Sequence, residues 1–276
     1  EKALKLNNKR SESYVSAAFI NIFHDHDFQK AKANLDQALR LNKNSVKAHH
    51  FSAMYFIHIS DIKSAEKHSL YSIKLDALAL PQYAMMSRIC IYQRRFKNAL
   101  DYISMGLNIY PDTIPLIELR GTVNLLSGNM ESAIEDFKSC IESDENDPKH
   151  LANLGYIYAR IGFFEESRAI ENKMQALDIN KDTGFYDYAM AILKLGQSDI
   201  KGFFKYIEKS ADSGIGFIFG ELLNNPMFSE VKKNSRFQNL LIKFNHIDSK
   251  ILHKVKQPSS VITIINLKIV LLRHEK

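Results

Sequence analysis

A small side chain returns every 34 residues along most of this chain of 276 residues. It stands at Ala31, Ala65, Ala99, Ala133 and, with one conservative change, Ser167. A large apolar residue precedes each of them by three positions, at Phe28, Ile62, Phe96, Met130 and Phe164. A unit of this length holds two short helices that cannot bury their own apolar faces, so neighbouring units must stack to form a core. The sequence therefore predicts a repeat protein built from tandem helical hairpins.

The small residue, placed at position 20 of each unit, defines where the repeats begin and end. The predicted units are 12–45, 46–79, 80–113, 114–147 and 148–181, followed by a degenerate sixth unit at 182–215. Position 8, where the two helices of a unit cross, is mostly small, as a close helix contact requires. Its occupants are Phe19, Ala53, Ser87, Gly121, Gly155 and Ala189. Three glycines, Gly128, Gly162 and Gly196, are predicted at the left-handed position of the turn between the helices.

Repeat five carries the residues on which a family resemblance rests. They are Leu151, Leu154-Gly155 and Tyr158, followed by Phe164, Ser167 and Ala176-Leu177. This pattern resembles the tetratricopeptide repeat (TPR), and five registers that agree without a gap extend the resemblance over residues 12 to about 215. The resemblance implies an all-α fold, a right-handed α-α superhelix of the TPR solenoid type with a C-terminal helical cap.

Both ends of the chain depart from the repeat. Residues 1–11 read like the last turns of a second helix, so we expect the end of a truncated preceding repeat. Residues 216–246 are expected to form a helical cap that covers the second helix of repeat six. The apolar residues that predict the cap are Phe217, Phe219, Leu222, Leu223, Phe228, Val231, Phe237, Leu240 and Leu241. Residues 247–276 are a basic tail rich in β-branched residues, which leaves open a strand, the start of another domain or an edge that pairs with a second copy.

The net charge of +6 is concentrated at the C-terminal end of the chain. Residues 232–276 contain ten Lys or Arg and two acidic residues, a net charge of +8. The preceding residues carry 27 basic and 29 acidic side chains, a net charge of −2. A groove that follows nucleic-acid phosphates along the repeats is therefore not expected, and only the tail offers such a surface.

The sequence contains no pattern that predicts catalysis. His24-Asp25-His26-Asp27 has residue types that bind metals, but adjacent residues point in different directions and no second ligand set stands at a familiar zinc spacing. A phosphate-binding loop and a nucleophile elbow are also missing from the sequence. We therefore predict no enzyme, no metal and no cofactor. Cys90 and Cys140 fall at helix interfaces of different repeats, where small apolar residues are expected to be buried. A chain with only two, separated cysteines fits a reducing cytoplasm.

The family resemblance also implies where a ligand would bind. In TPR proteins, ligands usually contact a concave groove that is lined by the first helices at positions 2, 5, 9, 12 and 13. In this chain the predicted groove residues are His50, Met54, His58, Arg88, Tyr92, Glu118, Thr122, Tyr156 and Arg160. The family's carboxylate clamp needs Lys and Asn at positions 5 and 9, where this chain has Ser16 and Ile20, or His50 and Met54. A role as a chaperone co-factor is therefore not expected.

These observations predict a scaffold that binds a protein or peptide, without a membrane span. The end segment resembles those that close TPR regions in bacterial signalling proteins, which suggests the regulatory region of a larger bacterial signalling or transcription protein in the cytoplasm. The alternative is a regulator that contacts nucleic acid through its basic C-terminal tail. Self-association is a further possibility, through the open N-terminal repeat or the tail.

Overall fold

The computed structural model describes residues 10–179, 184–213 and 218–243. These residues form α1 Ser11–Phe23, α2 Phe28–Leu41, α3 Val46–His58, α4 Ile62–Leu75, α5 Leu80–Tyr92, α6 Phe96–Ile109, α7 Ile114–Ser127, α8 Met130–Ser143, α9 Pro148–Arg160, α10 Phe164–Ala176, α11 Phe185–Gly196, α12 Ile200–Asp212, α13 Ile218–Asn224 and α14 Ser235–Lys243. A short 3-10 helix, Pro226–Phe228, lies between the last two helices. Within these ranges no strand occurs, which confirms the predicted all-α fold of tandem helical hairpins.

Local sequence explains where the helices begin. The carboxylates of Asp27, Asp61 and Asp199 each accept a hydrogen bond from the backbone N–H three residues later, which caps the second helix of a hairpin. Three of the first helices, α5, α7 and α9, instead carry a proline in their first turn, where a missing N–H costs nothing.

The turn between the two helices of a hairpin repeats with the same period. Its left-handed residue is His26, Ser60, Arg94, Gly128 or Gly162, with φ between 51° and 89°. The turn therefore requires the left-handed backbone conformation, which residues other than glycine also adopt here. The prediction for Gly196 is wrong, because Ser198 holds the left-handed position with φ of 59°. The sixth hairpin is displaced by two residues, since α12 begins at Ile200 and not 34 residues after Phe164.

The described residues divide into two compact units. Unit 1 contains the residues up to Gln93 together with α13 and α14. Its core brings α1, α2 and α3 together around Ile22, Leu35 and Tyr55, and the small residues Ala31 and Ala65 are fully buried. The repeating small residue is thus a packing position in unit 1, as its spacing indicates.

Unit 2 contains the described residues from Arg94 to 213, in which α7 packs on α8, α9 on α10 and α11, and α11 on α12. Its small residues Ala99, Ala133 and Ser167 are buried in the same way. Gly121 and Gly155, at position 8, lie so close to the neighbouring helix that an added Cβ would stand 3.1 Å and 2.6 Å from the nearest side chain. The close crossing of the two helices therefore needs these small residues.

The C-terminal helix α13 packs against α3 of the second repeat. The cap over the second helix of repeat six stays a prediction. Side chains of α13 are nevertheless buried as a cap would bury them, Ile218, Phe219 and Leu222 completely. Residues 1–9 and 247–276 and Phe217 lie outside the described residues, so the boundaries proposed for the chain ends stay predictions.

Candidate functional site

The candidate site is the surface of unit 1 on which α13 lies. Four residues form it, and we call them the α3 site: His26 in the turn after α1, Ile57 and His58 in the last turn of α3, and Arg88 on α5. One turn and two helices thus contribute to one contact surface.

Gly220 marks the closest approach of α13 to α3. A Cβ atom at this position would stand 3.0 Å from Cγ2 of Ile57 and 3.2 Å from Cε1 of His58. Such distances are tighter than ordinary van der Waals contact, so only a residue without a side chain fits without displacement of its neighbours. The α3 site therefore selects a small residue at the centre of its ligand helix.

Two polar contacts fix the position of α13 on the site. The side-chain amide of Asn224 donates to the carbonyl oxygens of Ile57 and of Gly220, both at 2.8 Å. The guanidinium Nε of Arg88 lies 3.5 Å from Oε1 of Glu221. The side chain of Glu221 is 17% exposed and that of Arg88 36% exposed, so this ion pair is only partly screened by water. These polar contacts fix the orientation of α13 on the apolar surface of the site.

Aromatic contacts complete the site. The ring of Phe219 meets His26 edge to face, with ring centroids 5.6 Å apart. Burial, followed by the nearby His24, lowers the pKa of His26 below its ordinary value, which favours a neutral ring against the apolar helix. His58 donates from Nδ1 to the carbonyl of Met54 at 2.8 Å and packs its ring on Phe23. The side chain of His58 is therefore held in place by its own helix and by α1.

Of the predicted groove residues, His58 and Arg88 belong to the α3 site and three others lie elsewhere in unit 1. His50 is half-buried, with Nδ1 3.3 Å from Oε1 of Gln82, and burial lowers its pKa. Met54 is half-buried and supplies the carbonyl that orients His58, whereas Tyr92 is half-buried in the last turn of α5. The first-helix positions of unit 1 thus include two residues that contact α13 directly and one, Met54, that orients His58.

The predicted groove residues of unit 2 have a different role. Glu118 pairs with Nζ of Lys149 at 2.5 Å and lies 3.4 Å from Nε2 of His150, so it connects α7 to α9. The hydroxyl of Thr122 donates to the carbonyl of Glu118 in its own helix, 2.9 Å away. Both side chains therefore serve contacts within unit 2, and their role in ligand binding stays a prediction.

Tyr156 and Arg160 separate into a core and a surface residue. Tyr156 is only 7% exposed and packs against Gly196 at the end of α11, so removing its ring would leave a cavity. Arg160 is exposed, with its guanidinium carbon 5.8 Å from the centroid of the Tyr156 ring. Of these two, only Arg160 offers a side chain to a ligand without disturbing the core.

Residues 24–27, which have metal-binding types, are used in three separate ways. Nδ1 of His24 lies 3.0 Å from Oδ1 of Asp25, Asp27 caps α2, and His26 contacts Phe219. Among the described residues, no group of three or more His, Cys, Asp or Glu side chains is placed to hold a metal ion. In the same ranges, no helix is long and apolar enough to cross a membrane.

A histidine pair on the second repeat forms a further cluster of titratable groups in unit 1. Nε2 of His49 donates to the carbonyl of Lys43 at 2.9 Å, so its Nδ1 accepts the hydrogen bond from Nδ1 of His68, 3.0 Å away. The ring of His68 also stacks on Phe56. Burial, with the neighbouring His49 and Lys67, lowers the pKa of His68 from 6.5 to about 4. His68 is therefore uncharged at neutral pH.

The lowered pKa of His68 predicts a loss of stability in acid. Below pH 6.5 the unfolded chain binds a proton at His68, whereas the folded protein does not until about pH 4, so stability falls as the pH drops through this window. We expect wild type to lose about 2 kcal/mol more between pH 7.5 and pH 5 than His68→Gln loses. Urea unfolding followed by circular dichroism at both pH values measures the difference. Equal losses in the two proteins would show that His68 titrates normally in the fold.

Sequence reasoning missed His26 and Ile57 as contact residues and missed α13 as the helix that lies on them. His26 stands in a turn and Ile57 reads as an ordinary core residue, so neither carries a binding signature. The one available signal was Gly220 inside an apolar helical run, where a glycine indicates a close approach.

The fold defines a helical-repeat protein, and at the α3 site the first helix of the second hairpin packs against α13. The sequence profile of the tetratricopeptide repeat matches residues 116–147. PilF of Pseudomonas aeruginosa has a similar structure, with a TM-score of 0.54 and 16% identity, over 84% of this chain and 97% of that one. A thermophilic TPR protein of Thermus thermophilus gives a TM-score of 0.56 and 18% identity, over 66% of this chain and 98% of that one. Residues 116–147 thus match the tetratricopeptide repeat, and the fold of tandem helical hairpins in these structures agrees with the 34-residue period of the sequence.

A curated relative matches a smaller part of the chain. The BBSome complex member BBS4 of Bos taurus is 29% identical over 77 residues, which is 28% of this chain. The aligned region spans 15% of the length of the bovine protein.

Proposed function

We propose that this chain is a scaffold that binds a protein or peptide and acts without catalysis. The observation that supports it is the seating of α13 on α3. That contact combines close packing at Gly220, a side-chain amide bonded to a backbone carbonyl, and an ion pair. These are the interactions by which an amphipathic helix is recognised on a helical surface. A surface of unit 1 is thus equipped to hold a helix.

The α3 site is also organised before a ligand arrives, which lowers the entropic cost of binding. His58 is held by the Met54 carbonyl and by the ring of Phe23. The Ile57 carbonyl, which receives the Asn224 amide, already accepts a hydrogen bond from the backbone N–H of Ser60 at 3.0 Å. The end of α3 therefore keeps its hydrogen bonding whether or not a ligand is present.

The biological setting is part of the same proposal. We place the scaffold in the regulatory region of a larger bacterial signalling or transcription protein in the cytoplasm. Cys90 and Cys140 are both buried thiols, which fits a reducing compartment. Self-association through the N-terminal repeat is supported by Phe19 and Ile20, which are 47% and 45% exposed on α1.

Selection of displayed random peptides against the full chain tests the binding function. We expect enriched peptides with dissociation constants on the order of 1–100 µM, typical of a small interface. At least part of this set should bind about tenfold more weakly to Arg88→Glu. The matched control is Arg168→Glu, which reverses the charge of an exposed arginine on α10 and should leave binding unchanged.

Two outcomes would contradict the proposal. One is a selection that enriches nothing over a protein without repeats. The other is tight binding of short DNA or RNA that falls steeply between 50 and 200 mM salt, since phosphate contacts release counterions. The latter would favour the nucleic-acid alternative through the basic tail.

A further inference from the structure

We propose that the α3 site recognises a short amphipathic helix of a partner through four determinants, and that α13 is the chain's own exchangeable copy of this ligand. The determinants are an aromatic residue, a small residue and an acid in succession, and an amide side chain five residues after the aromatic one. In α13 they are Phe219, Gly220, Glu221 and Asn224. This inference rests on the proposed binding function and names the kind of partner.

Helix geometry explains why these four residues act together. Gly220 and Asn224 are four residues apart and lie on one face of α13, and both meet Ile57. Phe219 and Glu221 are turned by about 100° to either side of Gly220. Phe219 meets His26, which follows α1, and Glu221 meets Arg88 on α5. A ligand helix therefore lies with its small residue on α3 and its flanking residues against the elements on either side.

The length of α13 supports exchange. A helix of seven residues is too short to be stable in water, so its helical form depends on the surface that it occupies. When α13 leaves, His58 keeps its bond to Met54, and the Ile57 carbonyl keeps its bond to Ser60. The contact that closes the site on the α5 side is the partly exposed pair of Arg88 and Glu221. The site thus survives without its occupant, whereas the occupant does not keep its helix without the site.

The apolar side of α13 determines what can replace it. Ile218, Phe219 and Leu222 are fully buried, so an empty site is costly and α13 does not leave without compensation. A partner helix that buries similar apolar residues and supplies the acid removes this cost. Because α13 is tethered, it competes at an effective concentration in the millimolar range, and a partner must bind better than this internal copy.

Reciprocal charge reversal in the full chain tests the proposal. Glu221→Arg places two arginines together and weakens the internal contact, and Arg88→Glu places two glutamates together. The probe is a fluorescein-labelled synthetic peptide of residues 216–231, used in its natural form and in a form with Glu221→Arg. Fluorescence anisotropy measures the affinity of both peptides for each chain.

We expect each single variant, in which the contact of α13 is weakened, to bind only the peptide whose charge at position 221 complements residue 88. The natural peptide should bind Glu221→Arg at least about tenfold more tightly than wild type, and the reversed peptide should do the same with Arg88→Glu. The double variant, in which the pair is restored in reverse, should bind both peptides as weakly as wild type. Lys233→Glu reverses an exposed charge on the same C-terminal segment and should also behave like wild type.

The proposal would be overturned if the two peptides bound each variant equally well, regardless of their charge at position 221. It would also be overturned if the single variants were folded by circular dichroism and bound neither peptide. If a variant unfolds, hydrogen exchange of wild type decides the question. The amides of 218–224 should then exchange at least about tenfold faster than the slowest amides of α3, through local opening. Equal rates would show a permanent core element and overturn exchange.

The two proposals fail in different ways. If displayed peptides bind the chain but the α13 peptides do not, the scaffold function stands and this inference is wrong. If the α13 peptides bind as expected but no displayed peptide binds, α13 is an exchangeable helix of the α3 site and the proposal of an external partner is wrong.

Discussion

Replacing Gly196 with alanine is expected to lower the free energy of unfolding by about 3 kcal/mol. An added Cβ at this position would stand 2.5 Å from Cα and 2.9 Å from Cβ of Tyr156. Because the nearest atom belongs to backbone, rotation of a flexible side chain cannot relieve the contact, and α9 and α11 would have to move apart. The better helix propensity of alanine recovers at most about 1 kcal/mol. Urea unfolding followed by circular dichroism measures the change.

Gly162→Ala is the matched control for Gly196→Ala, because it makes the same substitution in open space. No heavy atom lies within 4 Å of its added Cβ, but its φ of +89° is left-handed. We expect a cost of about 1–2 kcal/mol from the backbone alone. A loss at Gly196 no larger than the loss at Gly162 would show that the two helices are not in close contact there.

The repeat architecture could be predicted because its signal is local and periodic. The small residues Ala31, Ala65 and Ala99 recur at one spacing, and each is fully buried where a neighbouring helix passes. Such a pattern fixes helix pairs and their packing faces without any knowledge of distant contacts. The turn was predicted less well, since His26 and Arg94 adopt the left-handed conformation that glycine usually marks.

The candidate site could be predicted only in part, because its key contact is distant in sequence. Asn224 bonds to the carbonyl of Ile57 across 167 residues, and no periodic signal connects the two. The family register identified His58 and Arg88 as inward-facing residues but gave no indication that α13 would lie on them. For Tyr156 the register did not show that α11 packs over the ring. The repeat predicts which residues stand at the groove positions, whereas the helices that contact them are determined by the tertiary structure.

The last prediction concerns Phe203, which occupies in the sixth hairpin the place that alanine holds in the first four. Phe203 stands three residues after the start of α12, as Ala31 stands three residues after the start of α2, and the preceding aspartates cap both helices alike. Phe203 is completely buried and packs edge to face on Phe204, with ring centroids 5.1 Å apart. Phe203→Ala is therefore expected to cost about 3–5 kcal/mol, as the loss of a buried phenylalanine does. Thermal and urea unfolding measure it.

The same substitution separates two views of the sixth hairpin. If the repeat pattern governed it, alanine would restore the small residue of the other units, and Phe203→Ala would be neutral or stabilising. Phe203 is instead completely buried, so its ring fills core space that alanine would leave empty. Phe164→Ala is the control, since Phe164 is 64% exposed and its loss should change stability by less than about 0.5 kcal/mol. A similarly small change at Phe203 would show that its ring contributes little to the core of the sixth hairpin and would contradict its complete burial.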